Sequence, residues 1–421
     1  MTRTVHPPAT AWRAPTLDLT RLRSRTLLGL GPLDMPTADD LADHLIALGG
    51  LSEWNRIGTV TGADGQWRRD LESVRDAVVD WSSFGPGGDT LSLVDKVNWL
   101  SDETASGDRV RIFRSPRDVI LDVPHEIIDG QGVAQMWATL AGAPLDDDWA
   151  ASTTPAVSAA SLLAGHLLRH PGAIAPLALD AVRARRQPPP VLTPSPSTGR
   201  RRGSTVCLDR TRLAELNRWR TTAGGGASLA ATVMTGVTSA YASHQIAIDP
   251  VAVVVADGRR YGGPDLAGYY GNFSIGMNLP ISKYPRAADL AAAIRRSIAC
   301  GRPLAAMTAA GIGHRLARGT IDDAPAAALQ ATTSRLSFSY VPVRPELVDG
   351  RWIGGFENRQ TVCVADQIGP TGIATLFAKY PDAMDIAATF DPDVHPEPLI
   401  GAALAAFAAE PIEYLEKGGR R

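Results

Sequence analysis

Val123-Pro124-His125-Glu126-Ile127-Ile128-Asp129-Gly130-Gln131-Gly132 is the stretch on which the reading of this chain turns. The apolar run Val119-Ile120-Leu121 leads into it and has the length and β-branching of a buried strand. Beyond it Val133, Met136, Trp137 and Leu140 recur at the spacing of one helix face. A histidine therefore stands just past a strand, four residues before an aspartate, and glycines then let the chain turn into a helix.

Outward from that stretch the pattern is mixed α/β. Upstream, Leu27-Leu28-Gly29-Leu30 reads as a strand, and Thr37-Ala38-Asp39-Asp40 is a capping box opening a helix stopped by Gly49-Gly50. Trp54 to Val60 reads as strand material, and helices are expected through Leu71, Val74 and Val78 and from Leu91 to Leu100. Downstream, Gln187 to Ser197 carries five prolines, which exclude a helix or an interior strand and predict an extended linker. The boundaries expected are a first lobe at 1–186, a linker at 187–203 and a second lobe at 204–421. In the second lobe, Ser228 caps a helix through Val237 and Tyr241. Val251 to Val255 is an unbroken β-branched run, as in a strand buried on both faces. Met384 to Phe390 reads as a strand and Leu399 to Phe407 as an apolar helix.

Composition narrows the function classes. The 421 residues are 44% hydrophobic and 20% charged, enough to bury a sizeable core, and the net charge of -2 lacks the basic footprint of a nucleic-acid binder. Arg200-Arg201-Arg202 reads as a solvated linker cluster. Cys207, Cys300 and Cys363 show neither CxxC nor zinc spacing, which fits a reducing cytoplasm. Pro7, Pro8, Arg13 and Pro15 interrupt any apolar leader, and no run is long enough to span a bilayer. The scarcity of lysine beside abundant Arg, Ala and Gly suggests a GC-rich bacterial source.

His125-x-x-x-Asp129-Gly130 resembles the HxxxDG core of the chloramphenicol-acetyltransferase-like acyltransferases, which include peptide-synthetase condensation domains and polyketide-associated acyltransferases. Gly258-Arg259, Gly271-Asn272-Phe273 and Asn278-Leu279-Pro280 resemble that superfamily's glycine-arginine and GNF stretch. The Pro-rich linker divides the chain into two similar halves. The resemblance implies an α/β pseudo-dimer: two α+β sandwich lobes with a tunnel between them. It implies an enzyme that moves an acyl group from a CoA or carrier-protein thioester to a hydroxyl or amine acceptor in bacterial secondary metabolism. The co-substrate is acyl-CoA or a phosphopantetheine thioester, the partners are an acyl-carrier protein and a small-molecule acceptor, and no bound cofactor or metal is expected. Two departures limit the branch. Pro124 stands where condensation domains carry a first histidine, and no DFGWG stretch of the plant-type enzymes occurs.

His125 is the candidate general base, since an imidazole near pKa 6.5 can take a proton at neutral pH. Asp129 is read as a structural residue, which in the resembled superfamily pairs with the residue matching Arg259. Gly130 is read as a glycine that keeps a channel clear. Ser337, in Leu336-Ser337-Phe338-Ser339-Tyr340, resembles the strand serine that supplies an oxyanion donor. Asn272 is assigned to substrate binding beside the pantetheine, with an αL turn as its structural alternative. Glu126 brings His125 to Asp129 within one residue of the zincin H-E-x-x-H, but Ile127-Ile128 and the preceding strand disfavour the helix that motif needs. Ser274 lacks G-x-S-x-G spacing, and His395 reads as exposed and incidental. The alternatives are a stand-alone condensation enzyme making an amide, and a non-catalytic binding relative.

Overall fold

The structure, a computed structural model, describes residues 11–418 apart from 22–23, 63–64, 88–89, 104–106, 155–156, 186–191 and 317–328. Two mixed sheets carry the architecture. Their strands are β1 (Arg25–Gly31), β2 (Val78–Asp80), β3 (Arg111–Arg114), β4 (Val119–Pro124), β5 (Arg202–Leu208), β6 (Ala252–Asp257), β7 (Ser274–Leu279), β8 (Leu336–Pro342), β9 (Gln360–Val364), β10 (Ile373–Lys379) and β11 (Met384–Phe390). The helices that matter here are α1 (Thr16–Leu19), α2 (Ala38–Gly50), α3 (Leu93–Glu103), α4 (Gly130–Leu140), α5 (Leu229–Ser243), α6 (Arg302–Leu316) and α7 (Glu397–Ala409).

The first sheet runs β9-β1-β4-β3-β2 and the second β7-β6-β8-β10-β11-β5. In the first, Leu28 of β1 faces Leu121 of β4 on one side and Cys363 of β9 on the other, all antiparallel. In the second, β8 lies parallel to both neighbours, with Ser337 opposite Val253 and Ala374. Each sheet has its own core. Leu28, Leu121, Trp137 and Leu140 belong to the first, and Val237, Phe338, Ile386 and Phe407 to the second. These are the two α/β lobes expected.

Local chemistry explains most elements. Thr37 accepts the Asp40 N–H at 3.2 Å and starts α2, and Ser228 accepts the Ala231 N–H at 3.3 Å and starts α5. The strand at Met384–Phe390 falls where the sequence places it. Asp122 is buried in β4, where Arg25 donates to it at 2.7 Å and Arg111 also engages it. That pairing ties β1, β3 and β4 together just before His125.

Four expectations change. Val78 does not continue a helix: the helix stops at Ser73–Ala77, and Val78 starts β2, parallel to Ile112 of β3. The β-branched run in β6 is buried by two different partners, with Val254 in the second core and Val253 and Val255 on a cavity between the lobes. Arg200 to Arg202 are not a free cationic cluster, because they pair with Asp393, Asp366 and Asp102 respectively. Finally, β9 lies at 360–364, outside the 1–186 segment, yet completes the first sheet. Of the Pro-rich stretch, 187–191 lies outside the described residues, and Leu192–Pro194 forms a short ribbon with Leu329–Ala331.

Candidate active site between the lobes

His125 follows the end of β4 and is held by its backbone from both lobes. Its N–H donates to the Ser24 carbonyl at 2.8 Å, and its carbonyl accepts from Asn272 Nδ2 at 2.7 Å. Four residues on, Asp129 caps α4 by accepting from the Gln131 N–H at 3.1 Å. A carboxylate at a helix N-terminus also meets the positive end of the helix dipole.

Asp129 reaches across the molecule as well. Its second oxygen lies 2.9 Å from Arg259 Nη2, with 2% and 11% of the two side chains exposed. Arg259 is itself fully engaged: Nε donates to Tyr269 O at 2.8 Å, Nη2 to Gly271 O at 2.7 Å, and Nη1 lies 3.2 Å from Asp257. Burial pulls the Arg259 pKa down, but Asp129 and Asp257 more than offset this, so the guanidinium stays charged. The Gly132 N–H also reaches the first oxygen of Asp129 at 3.5 Å and the Phe273 N–H its second at 3.4 Å, so Asp129 is held by donors on both oxygens, as an anchor is. Glu126, the zincin-like neighbour, is buried with an unpartnered oxygen, and its burial pushes the carboxyl up to about 7.

Asn272 is not on the cavity wall. It is buried, and its side-chain amide spans from Asp18 Oδ1 at 3.1 Å to the His125 carbonyl. It is not an αL residue either, since Gln245 alone among the described non-glycine residues has positive φ. Its place is behind His125 as an anchor for the backbone, away from the cavity. The residue it depends on, Asp18, escaped the sequence reading. Asp18 is fully buried and accepts from the Asn272 N–H at 2.6 Å, Arg56 Nη2 at 3.0 Å and Tyr269 OH at 3.2 Å. Burial pushes its carboxyl up, and Arg56 and Asn272 pull it back toward the charged form. Asp18 sits within the single helical turn Thr16–Leu19, whose sequence carries no motif that would have marked it.

A cavity of about 480 Å³ lies between the lobes, and His125, Asp129, Gly130, Arg259 and Ser337 all line it. Ser337 and Ser339 stand on the face of β8 turned to this cavity, so the alternation marks the cavity side of the strand rather than a solvent face. Among the described residues the Ser337 side chain forms no hydrogen bond. Gly130 also borders the cavity, but a Cβ there would meet only Val341 Cγ2 at 3.5 Å, an ordinary contact. The demanding glycine is Gly132, whose Cβ would lie 3.0 Å from Ile128 Cβ and 3.1 Å from Tyr270 O. His395, expected to be exposed, is buried in the second lobe, 3.1 Å from Thr371 O.

The His125 ring is half-buried, with its Nδ1 enclosed and unpartnered. Burial pushes its pKa below the usual 6.5 and the Arg21 guanidinium lowers it further, while its own carbonyl and Asp129 oppose them more weakly. The shift favours the neutral imidazole, the form a base needs. A reaction that uses it should reach its plateau on the alkaline side and lose activity through an acid limb whose midpoint lies below 6.5. A kcat/KM profile checks this, and an acid limb centred above 6.5 would contradict it.

In sequence comparison, no family model and no curated protein matches the chain. Solved structures do. The trichothecene 15-O-acetyltransferase TRI3 from Fusarium sporotrichioides superposes with a TM-score of 0.59 at 11% identity, over 97% of this chain and 96% of that one. The cyclization-docking bidomain of EpoB from Sorangium cellulosum gives 0.57 at 13% identity, over 97% and 85%. The first condensation domain of the calcium-dependent antibiotic synthetase gives 0.51 at 17% identity, over 95% and 91%. The chain therefore shares its fold, along nearly its whole length, with an acetyltransferase and two peptide-synthetase domains.

Proposed function

We propose that the protein is an acyltransferase that moves an acyl group from a CoA or carrier-protein thioester to a hydroxyl or amine, with His125 as general base. The observation that carries this reading is a histidine, fixed through its backbone from both lobes, that opens onto a cavity between them. The acceptor's oxygen or nitrogen attacks the thioester carbonyl carbon as an imidazole nitrogen of His125 takes its proton. The carbonyl electrons move onto oxygen, and the Ser337 hydroxyl, which lines the same cavity, is the donor this reading assigns to it. Collapse of the tetrahedral species breaks the C–S bond, and the imidazolium returns its proton to the departing thiolate. The donor brings its own leaving group, and the protein contributes orientation, one base and one hydroxyl. Asp129, Arg259 and Asn272 hold the loop and take no part in proton transfer.

Pro124 removes the first histidine of the condensation-type pair, which favours this reading over a typical peptide-bond-forming domain. The test is to incubate the protein with a panel of acyl-CoAs and acyl-carrier proteins, with hydroxyl and amine acceptors, and to follow free thiol. Acceptor-dependent thiol release from one donor class is expected. Absence of release across the panel would favour a binding relative that keeps the fold without the chemistry.

A further inference from the structure

We infer that Arg21 is a carboxylate-binding residue of the cavity, so that the substrate presents an ionised carboxylate beside His125 on an otherwise apolar body. Arg21 follows α1 in a short turn. Its N–H donates to Asp18 O at 3.0 Å, its carbonyl accepts from the Ser24 N–H at 2.9 Å, and the Ser24 carbonyl accepts from the His125 N–H at 2.8 Å. The turn that carries Arg21 is thus stitched directly to the base, and Asp18 at its start ties it to the second lobe through Asn272.

The other charges on the cavity are already spoken for. Asp129 and Asp257 share Arg259. Asp366, the acidic residue nearest Arg21 in effect, is engaged by Arg201 and by the Ser24 hydroxyl. Among the described residues Arg21 forms no side-chain hydrogen bond or close ion pair, although it lines the cavity and is half-buried. A desolvated guanidinium without a bidentate partner is costly to hold and is a strong receptor for a planar anion. Much of the remaining surface is hydrocarbon, including Leu28, Val123, Ile128, Val133, Trp137 and Leu376. One cation without a side-chain partner beside a largely apolar wall is the recognition pattern of an amphipathic carboxylic acid. A pantetheine phosphate is the other anion in reach of this chemistry. It lies at the opposite end of its arm from the sulfur, so a thioester reacting at His125 would not bring it to Arg21.

This inference rests on the cavity being the acyl-transfer site, but its test needs no turnover, so the two can fail separately. Decanoate and its uncharged isostere decanamide are titrated calorimetrically at pH 7.5 into the full chain, the wild type and the Arg21→Gln, Arg21→Lys and His125→Ala variants. A charge-assisted pair predicts roughly tenfold tighter binding of decanoate to the wild type. Arg21→Gln should bring the two affinities within about twofold, Arg21→Lys should keep part of the difference, and His125→Ala should keep all of it. Equal binding of the two probes by the wild type, no binding of decanoate, or a preference that survives in Arg21→Gln would each overturn the assignment. Inorganic phosphate displacing decanoate at matching concentration would also overturn it, giving Arg21 to phosphate instead.

Discussion

His125→Ala is expected to lower kcat for acyl transfer by about 10²–10⁴-fold, the usual contribution of a positioned general base, while the melting temperature stays within about a degree or two. The two halves of that expectation come from different atoms. The reaction needs a ring nitrogen at the cavity. The fold needs the His125 N–H and carbonyl, which bond to Ser24 and Asn272, and alanine supplies both. The ring itself gives the fold little, since Nδ1 is enclosed without a partner. KM should move less than kcat, because proton removal is a transition-state interaction. Steady-state kinetics beside a thermal melt tests both, and an alanine variant with unimpaired kcat would remove His125 from the mechanism.

Asp129→Ala should act in the opposite way, through stability. Removing one partner of a buried ion pair costs about 3–5 kcal/mol, because the remaining charge stays desolvated. The α4 cap is lost as well, for which about 1 kcal/mol is typical. Arg259 keeps Asp257 and the Tyr269 and Gly271 carbonyls, which places the pair's share toward the lower end of its range. Asp129→Asn retains an acceptor for the Gln131 N–H and should lose less. In the Asp129→Ala, Arg259→Met double variant no charge is stranded, so part of the loss should return. Urea midpoints for the four proteins measure this. A double variant less stable than Asp129→Ala alone would show that Arg259 is held mainly by its other partners. Activity should fall in all three variants, because the same residues brace the loop under His125.

The local part of this site was readable from sequence because its residues are contiguous. His125 and Asp129 fall between a strand and a helix whose periods differ, and the helix cap itself is one of the two residues. Arg259 required the resemblance, since nothing within its own stretch says which carboxylate it meets. Asn272 was assigned to the right neighbourhood and the wrong side of His125. A buried amide and one lining a cavity look alike in sequence, and only the position of its acceptors separates them. Asp18 and Arg21 were passed over because they lie in a short segment that carries no motif, and Asn272, which Asp18 binds, is 254 residues away. In the fold, strand and helix periods placed most elements, while Val78 shows where they compete. Three apolar residues at helical spacing also suit a strand when the third has a parallel partner, and the sequence does not display Ile112 beside it.

The edge strand β9 has a consequence for how the protein is made. Emerging from a ribosome, residues 25–124 contain every strand of the first sheet but one, and the missing one arrives only with residues 360–364. Until then the β1 edge, with its unpaired N–H and carbonyl groups, is an open template for any extended segment nearby. The second sheet's β5 to β8 are synthesised during that wait. The first lobe therefore spends most of translation unfinished, and its completion is tied to the chain segment that also builds the far side of the cavity.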